Sequence, residues 1–135
     1  MKHLKTFVVA VVLMMTATQV LGQNSSENFL EFWRKYKSDF SFQKQRTVFP
    51  VPFIYYDFEY NGEPDDGVKV TEYIQADKWK FETFRNSSEA HIEIEQRNDT
   101  YEVWYRGNEC GIATSFIFRR RSGRWYLTQI VDYSD

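Results

Sequence analysis

The stretch HIEIEQRNDTYEVWYRGNECGIATSFIFRRRSGRWYLTQIVDYSD, residues 91–135, decides the fold. Ile92 and Ile94 alternate with His91, Glu93 and Glu95, and Tyr101, Val103 and Tyr105 alternate with Glu102, Trp104 and Arg106. A period of two is the mark of strands with one face buried. Arg97-Asn98-Asp99 separates the first pair of strands, and Gly107 to Gly111 breaks the pattern again. Ile112 to Arg120 and Arg124 to Val131 then form a hairpin closed by Arg121-Ser122-Gly123, with Gly123 free to take a positive φ.

Two further strands are expected upstream. Arg46 to Tyr60 is β-branched and aromatic, and Pro50 and Pro52, neither able to donate a ladder hydrogen bond, suit an edge strand or the approach to one. Val68, Val70, Glu72 and Ile74 alternate with Lys69, Thr71, Tyr73 and Gln75 after a turn at Asn61 to Gly67. Ahead of these, Phe29, Phe32, Trp33, Tyr36 and Phe40 fall at helical spacing, which predicts one amphipathic helix capped by Ser25 or Ser26. Asp77 is expected to cap a short helical stretch carrying Trp79, Phe81 and Phe84. With no repeat or low-complexity linker, the chain reads as a single α+β domain.

The N-terminus carries a different signal. Lys2, His3 and Lys5 precede the apolar run from Phe7 to Met15, and Val20, Leu21 and Gly22 follow. A positive start, a short apolar middle and a small-residue exit make a secretory leader. The run is about half of the roughly 20 residues that cross a bilayer, so a membrane span is not expected in the mature form. Cleavage is placed near Gly22–Gln23, giving residues 1–22 as signal peptide and 23–135 as the domain. Export to the periplasm or beyond is the expected destination.

Composition narrows the partners. The formal charge is −2 and grows more negative when Lys2 and Lys5 leave with the leader. A mildly acidic domain with its charges mixed along the chain makes nucleic acid an unexpected partner. Cys110 is the single cysteine, so the domain forms no internal disulfide and must rely on packing, which favours a bacterial periplasm over an animal extracellular space. The Asn-X-Ser/Thr triplets at Asn24, Asn86 and Asn98 are read as chance in a chain rich in these residues. Twelve Phe, nine Tyr and four Trp can supply a sufficient core with few aliphatic residues.

Residues 27–50 (ENFLEFWRKYKSDFSFQKQRTVFP) and the closing hairpin 116–135, with its Gly123-Arg124-Trp125-Tyr126-Leu127 strand, resemble a family of small exported Bacteroidetes proteins of unknown function. That family is similar to the nuclear-transport-factor-2-like, or cystatin-like, α+β cone. The resemblance implies an N-terminal helix, with the stretch at 77–85 standing in for a second short one, packed on a strongly curved antiparallel sheet of about five to six strands. It implies a pocket at the wide end of the cone. It implies no reaction, because this scaffold hosts isomerases, dehydratases, binding modules and dimerisation domains.

No short catalytic signature such as a Walker loop, HExxH, GxSxG or CxxC occurs, and no cofactor is expected. His91 is the one histidine left after cleavage, and pairing with Cys110 would make a nucleophilic dyad; Cys110 reads better as a small packed residue. Asp57 with Glu59, and Glu93 with Glu95, place carboxylates on one strand face, a pattern that suits acid-base chemistry when buried and plain solvation when not. Glu63, Asp65 and Asp66 crowd a turn without the ligand spacing of a calcium loop. Arg119, Arg120, Arg121 and Arg124 form a basic hairpin tip that protects a strand end from pairing.

Three functions stay open. The leading one is a non-enzymatic exported domain that binds a small molecule or a protein through an aromatic concave face, with Tyr55, Tyr56, Trp79, Trp104 and Tyr105 as its residues. The second is an isomerase- or dehydratase-type enzyme using Asp57 or Glu93 with His91. The third is a dimerisation module whose partner is a second copy of the chain.

Overall fold

The computed structural model describes residues 26–58 and 67–134; the expected leader and the acidic turn bearing Glu63, Asp65 and Asp66 lie outside the described residues. Helix α1 spans Phe29–Tyr36 and buries Phe29, Phe32, Trp33 and Tyr36. Its cap is Asn28, not Ser25 or Ser26: the Asn28 Oδ1 accepts the Glu31 amide at 3.1 Å. The expected single helix is in fact two. Asp39 takes an extended conformation and its Oδ1 accepts the Phe42 amide at 3.0 Å, starting α2 at Phe40–Gln45. That break turns Phe40 out of the aromatic stripe and leaves it 47% exposed.

Six strands form one sheet in the order β2-β1-β6-β5-β4-β3. They are β1 (Val51–Asp57), β2 (Val68–Ile74), β3 (Ala90–Arg97), β4 (Thr100–Gly107), β5 (Ala113–Arg121) and β6 (Arg124–Asp132). The β1–β2, β3–β4, β4–β5 and β5–β6 pairs are antiparallel, but β1 lies parallel to β6, with Phe53 opposite Ile130 and Tyr55 opposite Asp132. The sheet is therefore mixed, not wholly antiparallel. The parallel alignment begins at the end of α2, where the Leu127 amide donates to the Arg46 carbonyl and the Val48 amide donates to the Leu127 carbonyl. Nor is β1 an edge strand: Pro52 stands inside the sheet, tolerated because pairing with β6 starts only at Phe53.

The β5–β6 turn is as tight as its sequence suggests, with Ser122 at φ 52° and Gly123 at φ 78°, both in the left-handed region that two-residue hairpins require. A register shift follows, Ile117 facing Gln129 while Phe118 faces Leu127, so Thr128 is the extra residue of a bulge that bends β6. The expected helix at Asp77 shrinks to a 3-10 turn at Ala76–Lys78, and residues 79–87 cross the sheet without regular structure.

The core lies between α1 and the inward face of β4, β5 and β6. Phe118 is fully buried and its ring meets Phe29 at 5.5 Å, Phe32 at 5.6 Å, Trp33 at 5.9 Å and Tyr36 at 5.1 Å. The chain entering α1 is fastened to the same layer by Glu27. Its carboxylate accepts Arg46 Nη1 at 2.7 Å, Arg46 Nη2 at 3.1 Å and the Trp125 amide at 3.0 Å, and its carbonyl accepts Trp125 Nε1 at 2.9 Å.

Burial alone would raise the pKa of Glu27, but the hydrogen bonds from Arg46 and the Trp125 amide, with the nearby charges of Arg46 and Arg124, hold it below the usual carboxylate range. A carboxyl depressed by folding stabilises the native state above its unfolded pKa, and that contribution is lost as pH falls through the folded value. Glu27→Gln is expected to lower stability by about 2 kcal/mol at neutral pH. Thermal melts at pH 7 and pH 3 check this: the gap between the two proteins should shrink in acid, and an unchanged gap would refute the assignment.

Candidate functional site

Between residues 78–84 and the inward face of the sheet lies a cleft of about 410 Å³. Its wall is apolar: Phe53 from β1, Ile74 from β2, Tyr105 from β4, Phe116 from β5 and Ile130 from β6, closed on the far side by Trp79 and Phe84. Alternation explains the choice, since each of these strands turns every second residue inward. Polar groups stand around it: Lys78, Lys80, Glu82, Thr83 and Thr114.

The irregular wall is held by one buried residue that no local pattern in the sequence marks. Gln43 of α2 is completely buried. Its Oε1 accepts Trp79 Nε1 at 3.1 Å and the Glu82 amide at 2.9 Å, and its Nε2 donates to the carbonyls of Tyr36 and Glu82, both at 3.1 Å. All four capacities of the amide group are used. Below it, Thr47 Oγ1 donates to the Gln43 carbonyl at 2.7 Å, so the Tyr36 hydroxyl, 2.8 Å away, is the donor to Thr47. Burial pushes the Tyr36 hydroxyl well above its ordinary range, keeping it a neutral donor.

Glu82 is the acid at this cleft. Burial of part of its carboxyl raises its pKa, although the residue as a whole remains exposed, and among the described residues neither Glu82, Lys78 nor Lys80 has an ion-pair partner. The sequence reading did not single it out.

The five aromatics proposed for one site fall on two faces. Trp79 and Tyr105 line the cleft, and Tyr55 stands beside the cleft residue Phe53 with ring centroids 6.1 Å apart while its hydroxyl donates to Glu72 at 3.1 Å. Tyr56 and Trp104 occupy the opposite face, where both stack against Tyr133 at 5.7 Å. Trp104 stands opposite the small residue Ser115 across β4 and β5, and the Ser115 hydroxyl is buried on this face.

The proposed acid-base residues are likewise outside the cleft. His91 pairs with Arg106 and Glu93 with Trp104 across β3 and β4, so both point away from Tyr105. The imidazole is engaged at both nitrogens, with Glu93 Oε1 2.9 Å from Nε2 and Asn108 Oδ1 2.6 Å from Nδ1. Asn108 donates its amide to the Ser87 and Ser88 carbonyls, which fixes its oxygen towards His91. Two acceptors favour the doubly protonated ring, and the His91 pKa is raised by the Glu93 and Asn108 hydrogen bonds. Glu93 also accepts Arg106 Nε at 2.8 Å and is held below its ordinary range by His91 and Arg106. This is an exposed ionic cluster, not a poised base. The Cys110–His91 dyad does not form: Cys110 is exposed, with its Sγ 4.0 Å from the Glu89 carbonyl. Asp57 ends β1 and does not line the cleft; its sequence partner Glu59 lies outside the described residues. The basic tip is as placed, with Arg120 over the Trp125 ring at 4.4 Å and Arg119 donating to Thr128. Among the described residues no cluster of His, Cys, Asp or Glu could hold a metal, and no helix is long and apolar enough to cross a membrane.

Two short helices on a six-stranded mixed sheet with a cleft at the side define an α+β protein of nuclear-transport-factor-2-like fold. A solved structure of a nuclear-transport-factor-2-like protein from Bacteroides fragilis superposes with a TM-score of 0.58 at 19% identity, covering 83% of this chain and 49% of that one. The chain thus spans about half the length of that relative. A protein from Bacteroides uniformis, solved by NMR, gives 0.53 at 19% identity over 78% of this chain and 76% of its own. Residues 4–132 match the model of a domain of unknown function, DUF4348, and the chain belongs to that family. No curated protein matches.

Proposed function

We propose that this is an exported, non-enzymatic domain that takes a small ligand into the cleft between residues 78–84 and the sheet, the wide end of a cystatin-like cone. The observation that carries the reading is the cleft itself: about 410 Å³ lined by seven apolar or aromatic side chains and a few polar ones, within the size and character of small-molecule sites. Binding is favoured over catalysis because His91 and Glu93 stand on the opposite face, so that among the described residues the cleft is lined by Glu82 and by no imidazole. The leader-like N-terminus supports action outside the cytoplasm, with cleavage near Gly22–Gln23.

Mass spectrometry of the protein recovered from the periplasmic or medium fraction is expected to give Gln23 as the first residue. A thermal-shift screen of that protein against metabolites, glycans and lipids is expected to yield one chemical class that raises the melting temperature, since a ligand at about 100 times its Kd adds roughly 2.7 kcal/mol. A flat response across the panel would end the small-ligand reading.

A further inference from the structure

The polar groups around the cleft restrict what it can hold. Lys78 and Lys80 flank Trp79 and both line the cleft, and neither has an acidic partner among the described residues. Among the described residues Glu82 is the carboxyl that lines the same space, and it makes no ion pair with either lysine; burial raises its pKa. Beyond them the wall is hydrocarbon: Phe53, Ile74, Phe116 and Ile130. The Trp79 indole N–H is already spent on Gln43, so that ring offers its apolar surface.

An apolar slot with two unpaired cations at its mouth is complementary to an amphiphile with a negatively charged end. Resting on the small-ligand reading above, we infer that the cleft takes an amphipathic carboxylate: an alkyl chain or ring system against Phe53, Ile74, Phe116 and Ile130, and a carboxylate between Lys78 and Lys80. A neutral molecule would leave both lysines without a partner. A cationic amphiphile would meet two like charges against one acid. The Thr114 hydroxyl, which reaches Asp132 Oδ1 at 3.3 Å, and the free Thr83 side chain can hold a further hydroxyl on the ligand.

The test is isothermal titration of the exported protein with decanoate, 1-decanol and decylammonium, each below its aggregation concentration. Decanoate is expected to bind about tenfold tighter than decanol, the worth of charge-assisted contacts at a partly screened site. In Lys78→Gln/Lys80→Gln that preference should vanish while decanol binding stays constant. Thr114→Phe, which fills the cleft, should weaken decanoate; if that variant fails to fold, Ile74→Phe on the edge strand does the same work. Equal binding of the three probes, or preference for decylammonium, would overturn the anionic assignment and leave the cleft as the site. Binding of none, or decanoate binding untouched by the filling variants, would overturn the cleft reading as well.

Discussion

Phe118→Ala is expected to remove about 4 kcal/mol of stability and to lower the melting temperature by well over 10 °C. Phe118 is fully buried at the point where four rings of α1 converge on β5, and all four contacts are edge-to-face, at interplanar angles of 64° to 90°. Such pairs add about 0.5–1.5 kcal/mol beyond the area they bury, and truncation also leaves a cavity that rigid aromatic neighbours cannot collapse into. A loss of this size is a large fraction of the roughly 5–15 kcal/mol that keeps a domain folded. Phe40→Ala is the control, expected to cost less than about 1 kcal/mol because its ring is half exposed and, among the described residues, meets the single ring of Phe81, at 5.9 Å. Urea titration of both variants decides the matter: similar losses would mean that Phe40 belongs to the core after all, as helical spacing alone suggests.

That contrast marks where local reading succeeds and where it stops. The strands at 90–97, 100–107, 113–121 and 124–132 are visible because each buries one face, so the period of two is written in the residues themselves. The turn at Ser122-Gly123 is visible because few residues tolerate its backbone. The helix stripe extends one residue group too far because Phe40 keeps the spacing while Ser38 and Asp39 end the helix; a capping residue ahead of Phe42 was the available signal. The parallel β1–β6 pairing joins segments about 75 residues apart, and nothing in either strand names its partner.

The site was harder to read than the fold. Trp79, Phe81 and Phe84 resemble a helical face in spacing, yet they lie on an extended crossing that hydrogen bonds hold in place from outside the segment. Tyr56 and Trp104 share with Trp79 and Tyr105 the character of aromatics outside the helix, whereas the sheet register puts them on opposite faces. Phase within a strand decides the face, and phase is fixed only when the core residues of all six strands are known together.

Gln43→Leu is expected to act differently from Phe118→Ala, because it preserves volume and removes only polarity. The variant would leave the Trp79 indole N–H and the Glu82 amide without an acceptor, and the carbonyls of Tyr36 and Glu82 without their donor. An unsatisfied buried group costs about 1–3 kcal/mol, and three of the four belong to residues 79–82, a segment that can turn to water, so a net loss of about 3 kcal/mol is expected. Relief by exposure has a structural consequence: residues 79–82 should leave the sheet and take the wall of the cleft with them. Hydrogen exchange separates this from a general loss of stability. In Gln43→Leu the Glu82 amide and the Trp79 indole should lose protection far more than the amides of β5 and β6, whereas Phe118→Ala should lower protection throughout. Ligand binding in the cleft should disappear in Gln43→Leu at temperatures where the sheet is still folded. Uniform loss of protection, or a cleft that still binds, would show that the wall stands without Gln43 and that its burial serves α2 alone.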